Sequence, residues 1–571
     1  MYIERIPNRN SRPTILIRES HREGGKVRKK TVGNLTGLPE DQIEMIRQVL
    51  KGVPLVPAES LFEVKESLPH GHVELVLGYM KKLQIDRLVG WDPSRERDLV
   101  MAMIAQRILY SGSKLEDTRL WHACTLAEEL DIADADENDL YAAMDWLLRR
   151  QHRIEKKLAG RHLSEGDSVF YDVSSSYYEG EKCTLAHYGY NRDGKKGKKI
   201  IVYGMMTDAA GRPVAAQVYP GNTQDSTTVI DQVETLRNRF GLEKVILVGD
   251  RGMITQTRIE DLKAYPGIGW ISALKSEDVR KLVNSGQLQL SLFDTKDLAE
   301  ISSPDFPGER LVACYNPALS EERSKTREAL LAKTEEALGK IENEVRRRTK
   351  KPLSADEIGV KLGRVFSKWK MRKHFKTVVE DGSFQWERDE TSIRNEAAMD
   401  GIYVIRAGKT SSELSSPDLV RQYKSLGRVE EVFRTMKGID IMVRPIRHRL
   451  ENRVRAHVFI CMLAYYVVWH MKKDLASILF HDETIDEVRP VRDAVKKAMP
   501  TANAHKKKIT KKDAEGNVLH SFNTLIEAMK TRCRNKCCVK KNGVEIPITQ
   551  HTQPSPFHQR VFNLCGIDVG M

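Results

Sequence analysis

The chain has 571 residues, with 93 Lys plus Arg against 79 Asp plus Glu, a formal net charge of +14 and a pI near 9.2. A hydrophobic content of 40% supports packed cores and excludes a disordered polycation. The positive balance points to a polyanionic partner. The eight cysteines are scattered, and the one tight group, Cys533, Cys537 and Cys538, lacks the paired halves of a zinc site, so reduced thiols in a cytoplasmic protein are expected. The opening Met1-Tyr-Ile-Glu-Arg-Ile has no signal-peptide core. The longest apolar run, Val458 to Trp469, is too short to span a bilayer and reads as a core helix of a soluble protein with no membrane partner.

In chain order, residues 1 to 55 open with short β-prone runs around Gly24-Gly25 and form a small basic β-rich element. Residues 56 to 165 carry helical spacing, as in the run from Leu99 to Leu109, and predict an all-helical module. From 166 to 275 the pattern predicts three strands separated by turns, then a helix, a strand, a helix and a strand. That order is the ribonuclease H-like mixed sheet, an α/β catalytic core. A highly charged helix near 320 to 348, a capping box at Ser354 and Glu357, and a hairpin at Asp381-Gly382 mark 276 to 395 as an insertion domain. The core resumes over 396 to 475, and 476 to 571 is expected to be a basic C-terminal region, irregular from 501 onward.

Two acids sit where folding alone gives no reason for them. Asp172 interrupts the apolar run 168–174, and Asp250 ends the run that begins at Val245. A carboxylate in a buried strand costs several kcal/mol unless it is paired, hydrogen-bonded or bound to metal. Gly249 and Gly252 flank Asp250 and permit a tight turn at the strand end, where α/β sheets hold ligands.

A third acid lies on a helix farther along. Seven residues nearly close two helical turns, so Tyr423, Glu430 and Lys437 share one face with Arg434 beside them. Leu426, Val429, Val432, Phe433, Met436 and Ile439 cover the adjoining arc that packs on the sheet, and Glu431 points about 100° away from the polar face. Alone, this helix reads as an ordinary amphipathic one with a Glu430 to Arg434 pair. The two strand acids upstream favour a site instead. Just beyond, Arg447, His448, Arg449, Arg453, Arg455 and His457 stand against one acid, Glu451, as a phosphate-binding track or a solvated basic face.

The stretch Tyr423-x2-Leu-x3-Glu430-x6-Lys437 resembles the Tyr-Arg-Glu-Lys signature of bacterial insertion-sequence transposases of the DDE class. Further matching blocks are Tyr171-Asp-Val-Ser174, Gly189-Tyr-Asn-Arg-Asp193, Gly221-Asn-Thr-Gln-Asp225, Val248-Gly-Asp-Arg-Gly-Met253, Asp400-Gly-Ile-Tyr-Val-Ile405 and Arg444-Pro-Ile-x-His448. Leu426 occupies the signature's arginine position, with Arg428 close by as a DNA contact.

The resemblance implies a catalytic and metal-binding triad of Asp172, Asp250 and Glu430 holding two Mg2+ or Mn2+ ions. Asp172 would bridge both and each of the others complete one. Carboxylates suit such hard cations. The implied reaction is phosphodiester hydrolysis at the element's end followed by attack of the freed 3'-hydroxyl on target DNA. Tyr423, Arg434 and Lys437 would hold phosphates, and the first 165 residues would recognise terminal inverted repeats. A homodimeric synaptic complex on double-stranded DNA and a nucleoid-associated location follow from the same resemblance. No G-x4-G-K-[ST] loop occurs, so no nucleotide cofactor is expected. Two other classes carry the same triad or scaffold: a non-mobile metal-dependent nuclease, which cuts without joining, and a catalytically silent DNA-binding regulator.

Overall fold

The computed structural model describes residues 1–569 apart from 10, 54–61, 295, 409–413, 497 and 542–543. The chain divides into two compact units, one of Met1–Leu68 with Cys533–Gln553, the other of Pro69–Arg532 with Pro554–Met571.

In the first unit, β1 (Tyr2–Ile6), β2 (Thr14–Glu23) and β3 (Lys26–Asn34) form an antiparallel sheet in that order. Gly24 and Gly25 both have positive φ, 58° and 78°, which the two-residue turn between β2 and β3 requires. Ile15 and Leu35 pack against Ile43 of the helix Glu40–Leu50, with Ile3, Ile17 and Ile46 around them. Glu4 pairs with Arg18 at 2.8 Å and Lys29 at 2.7 Å on the polar side.

A second small sheet in this unit sets β4 (Phe62–Pro69) beside the hairpin Cys533–Lys541 and Val544–His551. Two expectations are corrected here. The stretch expected to be helical from 56 contains a strand, and the tail from 501 is ordered as that hairpin and the helices Ala502–Thr510, Phe522–Met529 and Pro556–Cys565. The reason is that β4 is mostly exposed and finds its partner strand more than 450 residues away, so no local pattern announces it.

In the second unit the strands run β5 (Ser168–Tyr177), β6 (Ile200–Thr207), β7 (Pro213–Tyr219), β8 (Val245–Val248), β9 (Ile268–Ala273), β10 (Leu298–Ile301), β11 (Arg310–Tyr315), β12 (Phe375–Glu380), β13 (Ser383–Arg388) and β14 (Ile402–Ala407). Eight of them form one sheet in the order β10-β11-β14-β9-β8-β5-β6-β7. β5, β8 and β9 are mutually parallel, and the remaining pairings are antiparallel. β5 and β6 are buried almost throughout, as strands covered on both faces must be.

The helix Glu451–Asp474 is long and apolar enough to cross a membrane, but 83% of its apolar window is buried inside the fold. It packs against β7 and against the helices Arg95–Leu109 and Glu137–Leu148. Every residue from Leu99 to Leu109 is buried, and at roughly 1.5–3 kcal/mol per large apolar side chain this interface is a main source of stability. The helices from Gly71 to His162 therefore share one core with the sheet and are not a separate domain.

The expected insertion also changes its boundary. Residues up to Tyr315 contribute β10 and β11 to the sheet, and the inserted module proper runs from the helix Pro317–Arg347 through Ala355–Trp369, the β12–β13 hairpin and Glu390–Ala397. It has its own core, with Leu331, Leu338, Ile358, Phe375 and Phe384. The module leaves and rejoins the sheet at Tyr315 and Ile402, which are direct cross-strand partners.

Arg327 on the long helix makes a bidentate pair with Asp400, at 3.0 and 2.6 Å, and both side chains are under a tenth exposed. Asp400→Ala would leave a buried guanidinium uncompensated and is expected to cost about 3–5 kcal/mol. Urea denaturation checks this, with the double variant Arg327→Met, Asp400→Leu expected to lose much less.

Candidate active site

The β5–β8 pairing brings two acids near one another. Parallel register matches Ser168 with Ile246, Val169 with Leu247 and Phe170 with Val248. β8 ends at Val248, so Asp250 stands in the turn two residues past the strand while Asp172 lies within β5, near enough for the Asp250 charge to reach it. Between Ser168 and Ser176, Asp172 is the one residue of β5 that is not fully buried, so the sheet opens at the acid. Its Oδ1 accepts from the Val173 amide at 2.7 Å. The Asp250 Oδ1 accepts from the Gly252 amide and, at 3.2 Å, from the Met253 amide, which fixes the carboxylate in the turn after β8.

Glu430 stands on a helix, Gly427–Lys437, that packs on β5 and β6. Phe433 meets Tyr203 of β6 edge to face at 5.8 Å, and Val429, Val432 and Met436 are buried with it. Ile439, expected on this packing arc, lies past the helix end and is 75% exposed. Tyr423 belongs to a different helix, Ser416–Lys424. The continuous helix expected from 423 to 437 is interrupted at Ser425 and Leu426, where the amides of Leu426, Arg428 and Val429 bond three residues back instead of four; the Ser425 hydroxyl also donates to the Arg421 carbonyl at 2.8 Å.

The acids and Tyr423 still sense one another. The Asp172 carboxyl is pushed up to about 7, first by burial and then by the nearby charges of Asp250 and Glu430, with Val173 and Arg192 opposing. The half-buried Tyr423 hydroxyl is pushed up to about 12, by burial and by the same two carboxylates. Among the described residues no three His, Cys, Asp or Glu side chains are drawn close enough to hold a metal ion. The donor chemistry nevertheless fits a hard divalent cation: oxygen ligands only, and a buried carboxylate under like-charge stress that a cation would relieve.

The basic residues divide into two groups. Lys437, expected to face phosphate, donates to the Ser175 carbonyl at 2.6 Å and pairs with Asp193 at 3.0 Å, so it anchors the Glu430 helix to β5. His457 is buried and its Nε2 donates to the Val443 carbonyl at 2.9 Å, which takes it off the expected surface track. His448 is half-buried, its imidazole pushed down to about 3 by burial and by Lys114, Arg107 and Arg453. Arg453 lies 4.0 Å over the Tyr141 ring, Arg455 holds Glu451 and the Val218 carbonyl, and Arg428 donates to the Ala209 carbonyl. Arg447 is exposed and pairs with Glu179 at 3.2 Å. Arg434 and Arg449 are exposed, and neither makes a hydrogen bond or ion pair among the described residues.

Sequence reasoning missed the role of Asp193. Its carboxylate, 1% exposed, accepts from the Tyr177 amide at 3.0 Å, from Lys437 and from Arg444 at 2.5 Å. The signal was present in the block Gly189–Asp193, but nothing local distinguished a buried acid there from a turn residue.

Residues 167–467, just over half of the chain, match the transposase DDE domain, and residues 3–55 match the IS1634 family transposase N-terminal domain. The chain belongs to the DDE transposases of insertion sequences. Its class of activity is therefore that of a DNA transposase. Among solved structures the chain is similar to the piggyBac transposase synaptic complex with hairpin DNA, at 10% identity and a TM-score of 0.31, over 71% of this chain and 73% of that one. No curated protein matches the chain.

The Asp172 environment sets a pH dependence. With its carboxyl raised from 3.8 to about 7, the native state holds a proton that the unfolded state has lost, so this group's contribution to stability falls as pH rises from about 4 to 7. Asp172→Asn removes that dependence. Thermal melts in chelator are expected to show the variant more stable than the wild type at pH 8, with the gain vanishing at pH 4.

Proposed function

We propose that this chain cuts and rejoins DNA at the ends of its element, with Asp172, Asp250 and Glu430 as the catalytic carboxylates on a ribonuclease H-like sheet. The strand order β7-β6-β5-β8-β9, an antiparallel trio followed by two parallel strands, supports that fold reading. The observation that carries the functional reading is the parallel pairing of β5 with β8, which brings the two acids near one another, together with the rise of Asp172 under burial and the charges of Asp250 and Glu430. Clustered like charges in a partly buried site are costly for folding and favour a catalytic purpose.

Asp172, Asp250 and Glu430 would hold divalent cations, Mg2+ or Mn2+ and two per site, which supply polarisation of the scissile phosphate and activation of the attacking oxygen. The role of the carboxylates would be to hold those cations in place, since an anionic phosphodiester has no attraction for the carboxylates themselves. Tyr423, kept protonated beside Asp250 and Glu430, can donate to a phosphate oxygen. In the first step water attacks phosphorus and the bond to the 3'-oxygen breaks; in the second, that 3'-hydroxyl attacks a target phosphodiester. One phosphodiester bond is made for each one broken in the joining step, so it needs no nucleotide.

For DNA contact the exposed Arg434, Arg447 and Arg449 are the favoured groups, and recognition of terminal repeats falls to the amino-terminal region, within residues 1 to 165. Bringing two ends together calls for a second copy of the chain. A homodimer on paired ends is the simplest arrangement.

Asp172→Ala, Asp250→Ala and Glu430→Ala are each expected to abolish cleavage and joining of an end-bearing oligonucleotide in Mg2+ while leaving end binding largely intact. Any of these variants cutting at the wild-type rate would displace it from the triad, and a wild type that cuts without joining would mark a nuclease. Arg449→Ala is expected to weaken DNA binding and lower the salt slope by about one unit, the signature of one lost phosphate contact. Titration from 50 to 200 mM salt measures it.

A further inference from the structure

The segment between β5 and β6 carries two tyrosines far into solvent, Tyr188 at 68% and Tyr190 at 80% exposure. Their backbone, by contrast, is pinned at many points. A side chain on Gly189 would run into the Gly221 carbonyl, so the two loops interlock there. The Ser175 hydroxyl donates to the Tyr190 carbonyl at 3.2 Å and accepts from the Arg192 amide at 3.3 Å. Asn191 donates to the Lys195 carbonyl at 2.6 Å and accepts from the Asp193 amide at 2.9 Å, and Asp193 itself is buried. A fixed backbone that holds two aromatic rings in water is a presented surface, because folding alone would turn such rings inward.

The surroundings select the occupant. Lys195, Lys196 and Lys198 are exposed on the same segment; of its three acids Asp193 is satisfied inside the fold, Glu179 pairs with Arg447, and Glu181 is exposed seven residues before Tyr188. Arg192 lies 5.5 Å from the Tyr190 ring, and its charge also reaches Asp172, so the loop borders the candidate active site. Exposed rings interleaved with cations suit a strand whose bases are open on one face and whose backbone is anionic. Bases inside a duplex have no free face to offer.

We propose that Tyr188 and Tyr190 form a stacking platform for unpaired bases of the DNA strand processed at the neighbouring carboxylates, a proposal that rests on the transposase reading. The experiment uses the full chain without divalent ion, a blunt duplex, and the same duplex with a three-nucleotide unpaired overhang carrying 2-aminopurine. Wild type is expected to bind the overhang and quench its fluorescence. The double variant Tyr188→Ala, Tyr190→Ala is expected to lose the quenching and about tenfold or more in overhang affinity while binding blunt duplex like wild type. Tyr190→Phe, which keeps the ring, is expected to keep the quenching. A double variant that quenches and binds the overhang like wild type overturns the platform alone. Unchanged quenching with a lost dimer would assign the tyrosines to a second copy of the chain and also overturn it. A wild type that binds neither DNA sinks the transposase reading and the platform with it.

Discussion

The Asp193 carboxylate accepts from three directions at once: the Tyr177 amide at the end of β5, the Lys437 ammonium at the end of the Glu430 helix, and the Arg444 guanidinium beyond it. These groups come from segments separated by some 250 residues of chain, and a buried acid is tolerable only while its cations stay in place. The position of Glu430 relative to β5 is thus set by charge as well as by the packing of Phe433 on Tyr203. Electrostatic pinning gives direction where apolar contact gives mainly strength. A helix could slide along an apolar sheet by a small amount at little cost, but not without pulling Lys437 away from its buried partner.

The opposite condition holds a few residues away. At Asp172 burial and the like charges of Asp250 and Glu430 outweigh the opposing Arg192, and the carboxyl is raised. Satisfied buried charge at Asp193 and unsatisfied charge at Asp172 lie on or beside one strand. The first keeps the second in place. Such a division, rigid surroundings around a frustrated centre, is what preorganisation of a polar reaction requires.

Much of the core was legible in the sequence because the five strands from β5 to β9 are long apolar runs between clear turn signals, and because an acid inside such a run is conspicuous. Asp172 and Asp250 stood out for that reason. Glu430 did not stand out alone, since its helix reads equally well as an ordinary amphipathic one. The single-helix geometry from Tyr423 to Lys437 did not survive, because a local switch to three-residue turns at Ser425 and Leu426 is invisible to periodicity. The sheet's extension by β10 and β11 was hidden for another reason: β11 joins the sheet only through β14, roughly ninety residues later, and a pairing partner that distant leaves no local trace, while β10 is a four-residue edge strand on β11. The basic run from Arg444 to His457 showed its composition but not which of its members point inward.

The cross-strand pairing of Tyr315 with Ile402 makes β11 and β14 a hairpin whose loop is a folded module with its own core. Closing a loop becomes only logarithmically more costly as it lengthens, and a loop that folds by itself offsets even that cost. The module can therefore grow, shrink or be exchanged while the two strands that flank it keep their register. The short link after β8, where the Asp250 carboxylate is held by the next turn's amides, has no such freedom. In this architecture novelty is cheap at the flank that carries β11 and β14 and forbidden at the sheet's parallel centre, so differences in size among chains of this design should accumulate on one side of the candidate carboxylates.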